Sequence, residues 1–293
     1  MRIAPLARSH LAQAELVLAD ACAFDRATEV AEEKLFEPGP TAPAIAFGAW
    51  DGEELVGVAA VSSKWLRVIA VVPRARRKGA GEALLAACES HARTACETRM
   101  RVLDQPGNYL APGVDERNTY AIGWLEKRGY TRGETRENVL IAVRSNPRVS
   151  EKRATELAAA AGTKGYEVRR ALPDETALLD AVRTEFGGAW PWELERALGH
   201  RPAGVHVALY DGAYCAFAAH DGNNRGLGWF GPTGTWPAHR GKGLGEALLL
   251  ACLVDVGREH AFCEVAWIGP RPFYDKVAGI AQDRRFVSLA RDL

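Results

Sequence analysis

Two segments of this chain match almost residue for residue: Pro73-Arg-Ala-Arg76-Arg-Lys-Gly79-Ala-Gly81-Glu-Ala-Leu-Leu and Pro237-Ala-His-Arg240-Gly-Lys-Gly243-Leu-Gly245-Glu-Ala-Leu-Leu. Arg76 and Arg240 are 164 residues apart. The dipeptides Asp51-Gly52 and Asp211-Gly212 are 160 residues apart, which is nearly the same spacing. A repeat of this kind indicates duplication of a whole domain and not chance recurrence of a short string.

Each repeated segment follows a predicted run of strands and opens a predicted helix. In the first half, Asp51-Gly52 separates two apolar runs, which is typical of a β-hairpin. Residues 1–4, 44–50, 53–62 and 66–72 are predicted strands, and residues 8–21, 24–36 and 79–94 are predicted helices. The second half repeats the order, with strands at 166–171, 205–210, 213–219 and one ending near 236, and helices at 173–186, 191–198 and 243–260.

This alternation predicts an α/β chain with a mixed, mostly antiparallel sheet flanked by helices in each half. At 293 residues the chain is long for one hydrophobic core, which favours two domains. The predicted domains are residues 1–147 and 165–293, and an Ala/Glu/Lys-rich helical linker at 148–164 joins them.

Composition narrows the function. The 37 basic and 37 acidic residues give zero net charge, which argues against nucleic acid as the main partner. The six cysteines show no metal-ligand spacing, so no metal site is expected. No apolar run is long enough to cross a membrane and the N-terminus lacks a signal-peptide pattern, so a cytoplasmic protein without membrane contact is expected.

The repeated segment has the chemistry of an anion site. Its glycines let the backbone bend sharply and approach a ligand, and the first amides of the following helix point at whatever binds there. A helix N-terminus favours phosphate or pyrophosphate. The basic side chains of the segment add charge; they are Arg76, Arg77, Lys78, Arg240 and Lys242.

Two common phosphate-binding motifs do not fit this segment. A P-loop needs Gly-Lys followed by Ser or Thr, and neither copy has it. A dinucleotide fold needs a third glycine, but Gly79-Ala-Gly81 is followed by Glu-Ala-Leu. The dinucleotide fold also places its motif early in a βαβ unit, whereas here the motif follows a three-stranded meander.

The pattern Pro-x-x-Arg-x-x-Gly-x-Gly after a β-meander resembles the coenzyme A pyrophosphate loop of the GCN5-related N-acetyltransferase (GNAT) family, and the resemblance covers nearly all of both halves. It implies that acetyl-CoA is the cofactor, and that the strand before the loop binds the pantetheine arm where it splays from the next strand. The implied cofactor contacts are the loop residues Arg76, Arg77, Lys78, Gly79, Ala80, Gly81, Arg240, Gly241, Lys242, Gly243, Leu244 and Gly245, the strand residues Val71, Val72, Thr235 and Trp236, and the helix residue Asn118.

The halves differ at a tyrosine that the resemblance implies as the proton donor to the departing thiolate. The second half has Tyr274, five residues before Gly279, one more than the usual spacing. Tyr274 could instead only pack its ring under the cofactor. The first half has Trp124 or Leu125 at this position, and neither side chain can donate a proton usefully. Catalysis is therefore expected in the second half.

The general base is less well marked. An amine that arrives protonated must lose a proton to a carboxylate or a histidine. Glu264 and His220 are the candidates, although each could be an ordinary strand or turn residue. Two tryptophans, Trp190 and Trp192, lie where family members form the acceptor side, as a substrate wall or as core.

The expected function is direct transfer of an acyl group, most simply acetyl, from CoA to a small-molecule amine. The alternative is a catalytically silent module that binds or senses acyl-CoA. A monomer with an internal pseudo-dimer and a homodimer are both compatible with the repeat.

Overall fold

The computed structural model describes residues 1–293, and it divides into two compact units. Unit 1 comprises Met1–Arg136 and Arg285–Leu293, and unit 2 comprises Glu137–Arg284. Each unit is a mixed sheet with helices packed on it, so the predicted fold class is confirmed.

The chain divides differently from the prediction, because it passes between the units twice. The last residues of the chain, which were expected in the second domain, belong to unit 1. The helix expected as a linker belongs to unit 2, where its apolar residues Ala154, Leu157 and Ala161 pack in the core. The sequence repeat located the duplicated loops, but it gave no information on which sheet each terminal strand joins.

Unit 1 holds the first six strands and four helices. They are β1 (Arg2–Pro5), α1 (Leu11–Ala21), α2 (Ala31–Phe36), β2 (Ile45–Asp51), β3 (Glu54–Ser62), β4 (Trp65–Val71), α3 (Ala80–Thr94), β5 (Arg99–Val102), β6 (Val114–Asp115) and α4 (Thr119–Glu126). The strand β7 (Thr131–Ala142) begins in unit 1 and ends in unit 2.

Unit 2 continues with five helices and most of the remaining strands. They are α5 (Glu151–Gly162), β8 (Tyr166–Arg170), α6 (Ala177–Glu185), α7 (Trp190–Leu198), β9 (Val205–Tyr210), β10 (Ala213–His220), β11 (Trp229–Thr235), α8 (Leu244–Gly257), β12 (Phe262–Val265) and α9 (Arg271–Ala278). The strand β13 (Gln282–Asp292) begins in unit 2 and ends in unit 1.

The two sheets have the same topology. In unit 1 the strand order is β1-β2-β3-β4-β5, and the end of β13 pairs with β5. In unit 2 the order is β8-β9-β10-β11-β12, and the end of β7 pairs with β12. All these pairs are antiparallel except β4 with β5 and β11 with β12, which are parallel.

Side-chain alternation along the strands gives unit 2 a core on each face of its sheet. On β9, Val207 and Leu209 face the core formed with α6 and α7, whereas Ala208 faces the core formed with α5 and α8. The helix α8 is buried on most of its surface because it lies between the sheet and α5. None of the helices combines the length and apolar composition that crossing a membrane requires.

Candidate active site

The duplicated loop has the same conformation in both units. In unit 1, Arg76 Nε donates a hydrogen bond to the Val71 carbonyl oxygen at 3.0 Å. In unit 2, Arg240 Nε donates to the Thr235 carbonyl oxygen at 3.1 Å. Each arginine thus ties the loop back to the end of the strand before it, and its side chain supports the loop besides adding positive charge.

Gly79 and Gly243 are the N-caps of α3 and α8. Both adopt the left-handed conformation, with φ of 86° and 90°, which explains why glycine is needed there. No side chain caps either helix, and nothing lies within 4 Å of where a Cβ would be. The first amides of both helices therefore face open space, as an anion site requires.

The strand before each loop separates from its parallel neighbour soon after it begins. Only Trp65 and Leu66 of β4 pair with β5, and only Trp229 and Phe230 of β11 pair with β12. The pairing of the same strand with the strand before it shifts register at this place. In β4 the extra residue is Arg67, and β11 shifts in the same way against β10. A β-bulge therefore marks the point where the strands separate. We call this place the splay point.

The bulge corrects the predicted contacts of the pantetheine arm. The Val72 N–H donates to the Val56 carbonyl at 3.0 Å, and the Trp236 N–H donates to the Cys215 carbonyl at 2.9 Å. These two amides face the preceding strand and are not available to a ligand.

Backbone groups alternate in direction along a strand, so those of Ile69 and Val71 face the free edge of β4. Thr233 and Thr235 face the free edge of β11 in the same way. Sequence reasoning missed Ile69 and Thr233 because nothing local reveals the position of a bulge.

Unit 1 contains a cleft of about 440 Å³ beside its loop. Five of the predicted cofactor contacts line it: Val71, Arg76, Arg77, Gly81 and Asn118. The other lining residues are mostly apolar or aromatic: Asp20, Ala21, Ala23, Phe24, Ile69, Ala70, Pro73, Tyr120, Ala121 and Trp124. Of the remaining predictions for this half, the Ala80 side chain points into the core, and Lys78 is exposed outside the cleft.

Asn118 has a structural role at the edge of this cleft. Its Oδ1 accepts a hydrogen bond from the Ala121 N–H at 3.1 Å, which caps α4. Asn118 therefore fixes the start of the helix that carries Trp124, and Trp124 closes one side of the cleft against Gly81.

The two splay points differ in the residue at the bulge. In unit 1 it is Arg67, which has 0% exposure and donates to the carbonyls of Glu37 at 2.5 Å and Glu33 at 2.9 Å. The residue 164 positions later is Gly231, and no atom lies within 4 Å of where its Cβ would be. Space at the splay point is therefore filled in unit 1 and open in unit 2.

The segment that follows the parallel neighbour of the splayed strand, β5 in unit 1 and β12 in unit 2, also differs. In unit 1, residues 103–118 join β5 to α4, and most of residues 103–115 are buried. Within this segment, Asn108 accepts a hydrogen bond from Lys34 Nζ at 2.9 Å, and Gln105 donates to Ser62 Oγ at 3.1 Å. In unit 2 the connection is only residues 266–270, none of which is buried.

Tyr274 lies at the splay point of unit 2. Its ring packs edge-on against Phe230, the last residue of β11 that pairs with β12, at a centroid distance of 6.3 Å. The side chain is 5% exposed, and burial raises the pKa of Tyr274 to about 12. The phenol is therefore protonated at neutral pH, as a proton donor must be.

Glu264 is held in a network of side chains. Arg284 Nη1 lies 3.1 and 3.0 Å from its two carboxylate oxygens, and Asn138 Nδ2 donates to Oε1 at 2.7 Å. Both oxygens are thus already engaged, which argues against the predicted role as a general base.

The His220 side chain also interacts with other residues, the carboxylates of Asp221 and Asp255. Its Nδ1 lies 3.0 Å from Asp221 Oδ2, and its Nε2 lies 3.7 Å from Asp255 Oδ2. Burial alone would lower the pKa of His220, but the contacts with Asp221 and Asp255 raise it to about 9. An imidazole that is already protonated at neutral pH cannot accept a proton from an amine, so the geometry argues against His220 as the base.

The same cluster includes His206, which contacts Asp255 Oδ2 at 2.7 Å, and Arg170, which contacts Oδ1 at 2.7 Å. Burial would raise the pKa of Asp255, but its hydrogen bonds to the surrounding cations and imidazoles hold it well below its usual range. The cluster is a buried ion network between β8, β9, β10 and α8, and not an open site.

Comparison with known proteins agrees with this geometry. The model of the Acetyltransferase (GNAT) family matches residues 14–130 and 175–279, which together are more than half of the chain. This chain belongs to the GNAT family. A comparison with curated proteins found no match.

Solved structures of GNAT proteins share the two-unit fold. A GCN5-related glucosamine N-acetyltransferase region of a fungal multi-domain GH3 beta-N-acetylglucosaminidase is similar with a TM-score of 0.77 and 17% identity, over 99% of this chain and 38% of that one. A tandem GNAT protein from the clavulanic acid biosynthesis pathway has a TM-score of 0.68 and 19% identity, over 99% and 98%. A GNAT protein from Sphaerobacter thermophilus has a TM-score of 0.64 and 18% identity, over 99% and 95%. This chain thus spans 38% of the length of the fungal enzyme.

These similarities establish two tandem GNAT folds, as the sequence repeat predicted. Membership of the family implies acyl-CoA-dependent N-acetyltransferase activity. The residues present fit that donor: unpaired helix amides lie at the end of a strand with a free edge in both units, and unit 1 adds a cleft beside its loop.

The residues that separate the two GNAT units were missed by sequence reasoning, although a signal was present. The offset of 164 residues that aligns the loops also aligns Arg67 with Gly231. In this alignment, an arginine inside an apolar strand of the first repeat corresponds to a glycine in the second, and the difference can be seen in the sequence. Its meaning appears only when the splay point is known.

Proposed function

We propose that this GNAT protein transfers an acetyl group from acetyl-CoA directly to the primary amine of a small molecule, and that the transfer takes place in unit 2. The observation that carries the proposal is the open space at Gly231, which follows Phe230 at the splay point; Tyr274 packs on the ring of Phe230. An acceptor and an acyl group must meet where the splayed strands leave room for both.

Each element of unit 2 has a role in this proposal. The loop amides from Gly241 to Gly245 hold the pyrophosphate, because the Arg240 N–H already donates to the Pro237 carbonyl. The backbone groups of Thr233 and the N–H of Thr235 position the pantetheine arm, since the Thr235 carbonyl already accepts from Arg240. The bound thioester supplies the activated acyl group. Attack by the neutral amine would form the C–N bond and break the C–S bond; Tyr274 Oη would donate its proton to the departing sulfur and would regain a proton from the amine nitrogen.

Cysteine chemistry supports direct transfer over a covalent enzyme intermediate. Cys252 and Cys263 are two of the three cysteines in the core that includes Tyr274, and both are fully buried. Burial raises the pKa of both thiols well above the usual range. A thiol that stays protonated is a poor nucleophile, so these residues do not offer a second acyl carrier.

Unit 1 favours a second function, which is acyl-CoA binding without transfer. It has the loop, the free strand edge and a cleft of about 440 Å³. Arg67 and the buried segment 103–115 fill its acceptor side, and Leu125 stands where a proton donor is expected. Unit 1 thus has the features that acyl-CoA binding needs and lacks those that acyl transfer needs.

Isothermal titration with acetyl-CoA tests the sites. We expect two equivalents in the wild type and one in either Gly79→Trp or Gly243→Trp, because each tryptophan blocks one loop. Gly212→Trp is the matched control, since Gly212 is also an open glycine with positive φ but lies in a hairpin turn. If neither loop variant lowers the number of bound equivalents, the loops are not the sites.

Thiol release from acetyl-CoA over a panel of amines tests the transfer. The panel includes glucosamine, because the fungal relative is a glucosamine N-acetyltransferase region. We expect amine-dependent release that Gly243→Trp abolishes and Gly79→Trp preserves. The reverse result would place the reaction in unit 1. No release with any amine would leave binding alone as the function.

A further inference from the structure

The short connection between β12 and α9 carries a strained tryptophan. Trp267 has φ of 48°, in the left-handed region that side chains with a Cβ rarely adopt. It is the second residue after Val265, which pairs with Phe230 at the splay point. It also precedes the helix that carries Tyr274. Along the chain, Trp267 therefore lies between the strand that pairs at the splay point and the helix that carries Tyr274.

A buried amide holds this conformation. The Trp267 N–H donates to Asn138 Oδ1 at 2.9 Å, and the next amide, Ile268 N–H, donates to the Glu137 carbonyl at 2.9 Å. Asn138 has 0% exposure. Strain of this kind persists only where the surrounding contacts over-determine it, and it clusters at binding and catalytic sites.

A partly buried ion pair in turn fixes the orientation of the amide. Asn138 Nδ2 donates to Glu264 Oε1 at 2.7 Å, and Arg284 holds both oxygens of Glu264. The amide nitrogen must face the carboxylate and its oxygen must face the Trp267 N–H, so only one orientation satisfies both partners. We call Asn138, Glu264 and Arg284 the positioning network.

The network explains a partly buried ion pair, Glu264 with Arg284, that the reaction does not use. Burying an ion pair is costly, and such pairs are best justified by the geometry that they specify. Here the three residues come from β7, β12 and β13, and the backbone amide that they reach is that of the strained residue. Charged groups also flank the connection from the same strands and from α9, where Arg271 contacts Asp283 and lies 3.6 Å from Glu137.

We propose that the positioning network fixes Trp267 as a wall of the acceptor site in unit 2, and that the acceptor is a primary amine of a molecule that contains an aryl or sugar ring. The inference rests on the proposed transfer in unit 2. An indole offers a large, flat and weakly polar face, which favours aryl and sugar rings. Glu264 is a positioning residue and not the base.

The first test measures binding without relying on turnover. Trp267 emission is isolated as the difference between the wild type and Trp267→Phe, and Trp50→Phe, in unit 1, is the control. The probes are 2-phenylethylamine and glucosamine, which carry rings, and methylamine, which does not. We expect the two ring amines to change the emission of Trp267 and methylamine to leave it unchanged. No change with either ring amine overturns the inference.

The second test separates the acceptor from the donor. In Trp267→Ala we expect KM for the ring amines to rise about tenfold, the equivalent of one lost stacking contact. KM for acetyl-CoA and the kinetics with methylamine should stay unchanged. An equal rise in KM for acetyl-CoA would show a general structural defect and would overturn the inference.

The third test distinguishes positioning from base catalysis. Glu264→Gln keeps an oxygen that can accept from Asn138 and Arg284, so we expect kcat and its pH profile to be retained. Glu264→Ala and Asn138→Ala should reproduce the KM effect of Trp267→Ala. If Glu264→Gln instead lowers kcat about 100-fold or more and removes a limb of the pH profile, Glu264 is the base and the positioning role is wrong.

The outcomes also distinguish this inference from the proposed function. A change in Trp267 emission without thiol release would overturn the transfer and leave the acceptor wall standing. Thiol release without a change in emission would keep the transfer and overturn the wall.

Discussion

Units 1 and 2 share a loop, a bulge and a splayed strand, but they differ in what occupies the space that these features create. Arg67 fills the splay point of unit 1, and its guanidinium donates to the carbonyls of Glu37 and Glu33. Gly231 leaves the same place open in unit 2. The loop that we propose for the donor depends on a few consecutive residues, whereas the proposed acceptor side depends on distant ones. Duplication can therefore preserve donor binding while transfer is lost in one copy.

The acceptor side of unit 1 is closed by more than one residue. Lys34 is buried and reaches Glu33 at 2.6 Å and Asn108 at 2.9 Å, which ties α2 to the segment after β5. Unit 2 has a five-residue connection at the same place. Restoring a single residue in unit 1 is thus not expected to restore transfer.

The largest effect is expected from Gly231→Arg, which copies unit 1 into unit 2. The side chain would fill the open splay point, and we expect kcat for thiol release to fall by about 100-fold or more because reacting groups can no longer meet. Gly231 has φ of 131°, so backbone strain also contributes. Circular dichroism and acetyl-CoA titration of the same variant check that unit 2 still folds and binds. Retained transfer would show that the splay point does not separate the units.

Tyr274→Phe should have the next largest effect. Removal of the hydroxyl is expected to lower kcat about 100-fold, which is typical of a lost general acid, while the Kd for acetyl-CoA stays the same. Because the pKa of Tyr274 is raised to about 12, wild-type kcat should show no loss from this group below that pH. An unchanged kcat in the variant would mean that Tyr274 only packs.

A smaller effect concerns stability, since only unit 2 has the cluster around Asp255. The folded-state pKa of His220 is raised to about 9, above its usual value of 6.5. Its contribution is therefore fully present below pH 6.5 and is lost as pH rises through 9. His220→Gln should remove this alkaline loss, which is on the order of 2 kcal/mol. Urea unfolding at pH 6, 7.5 and 9.5 measures it, and equal slopes in the two proteins would contradict the prediction.

The smallest effect compares the loops themselves. Arg77 adopts φ of 61° at the position where unit 2 has Gly241 at 74°. Arg77→Gly should relieve that strain and raise the free energy of unfolding of unit 1 by about 0.5–1 kcal/mol. Gly241→Arg should lower that of unit 2 by a similar amount. Chemical denaturation of both variants checks the pair, and effects of the same sign would contradict the shared backbone geometry.

Much of the donor side was predictable, because its chemistry is local. The glycines, the basic residues and the following helix lie in one short segment, and the amides of a helix N-terminus face outward whatever surrounds them. The hairpins before the loop were equally local, since Asp51-Gly52 and Asp211-Gly212 both form turns with positive φ at glycine. The predicted helix at 24–36 was too long: only Ala31–Phe36 is helical.

The roles predicted for Glu264 and His220, in contrast, could not be judged from the local sequence. Residue type and strand position made both plausible as bases, but their partners decide what they can do. Asn138 is 126 residues from Glu264 in the sequence. Asp255 is likewise distant from His220 along the chain and approaches it only because α8 packs on the sheet.

The sequence by itself determined that the chain is a duplicated domain with two glycine-rich loops of the kind that binds phosphate, because those features depend on neighbouring residues and on a repeat at fixed spacing. Only the tertiary structure decided which unit has an open acceptor side, which strand completes each sheet and which side chains hold Trp267. Those properties depend on pairing between segments that are far apart in the chain, and no local pattern encodes such pairing.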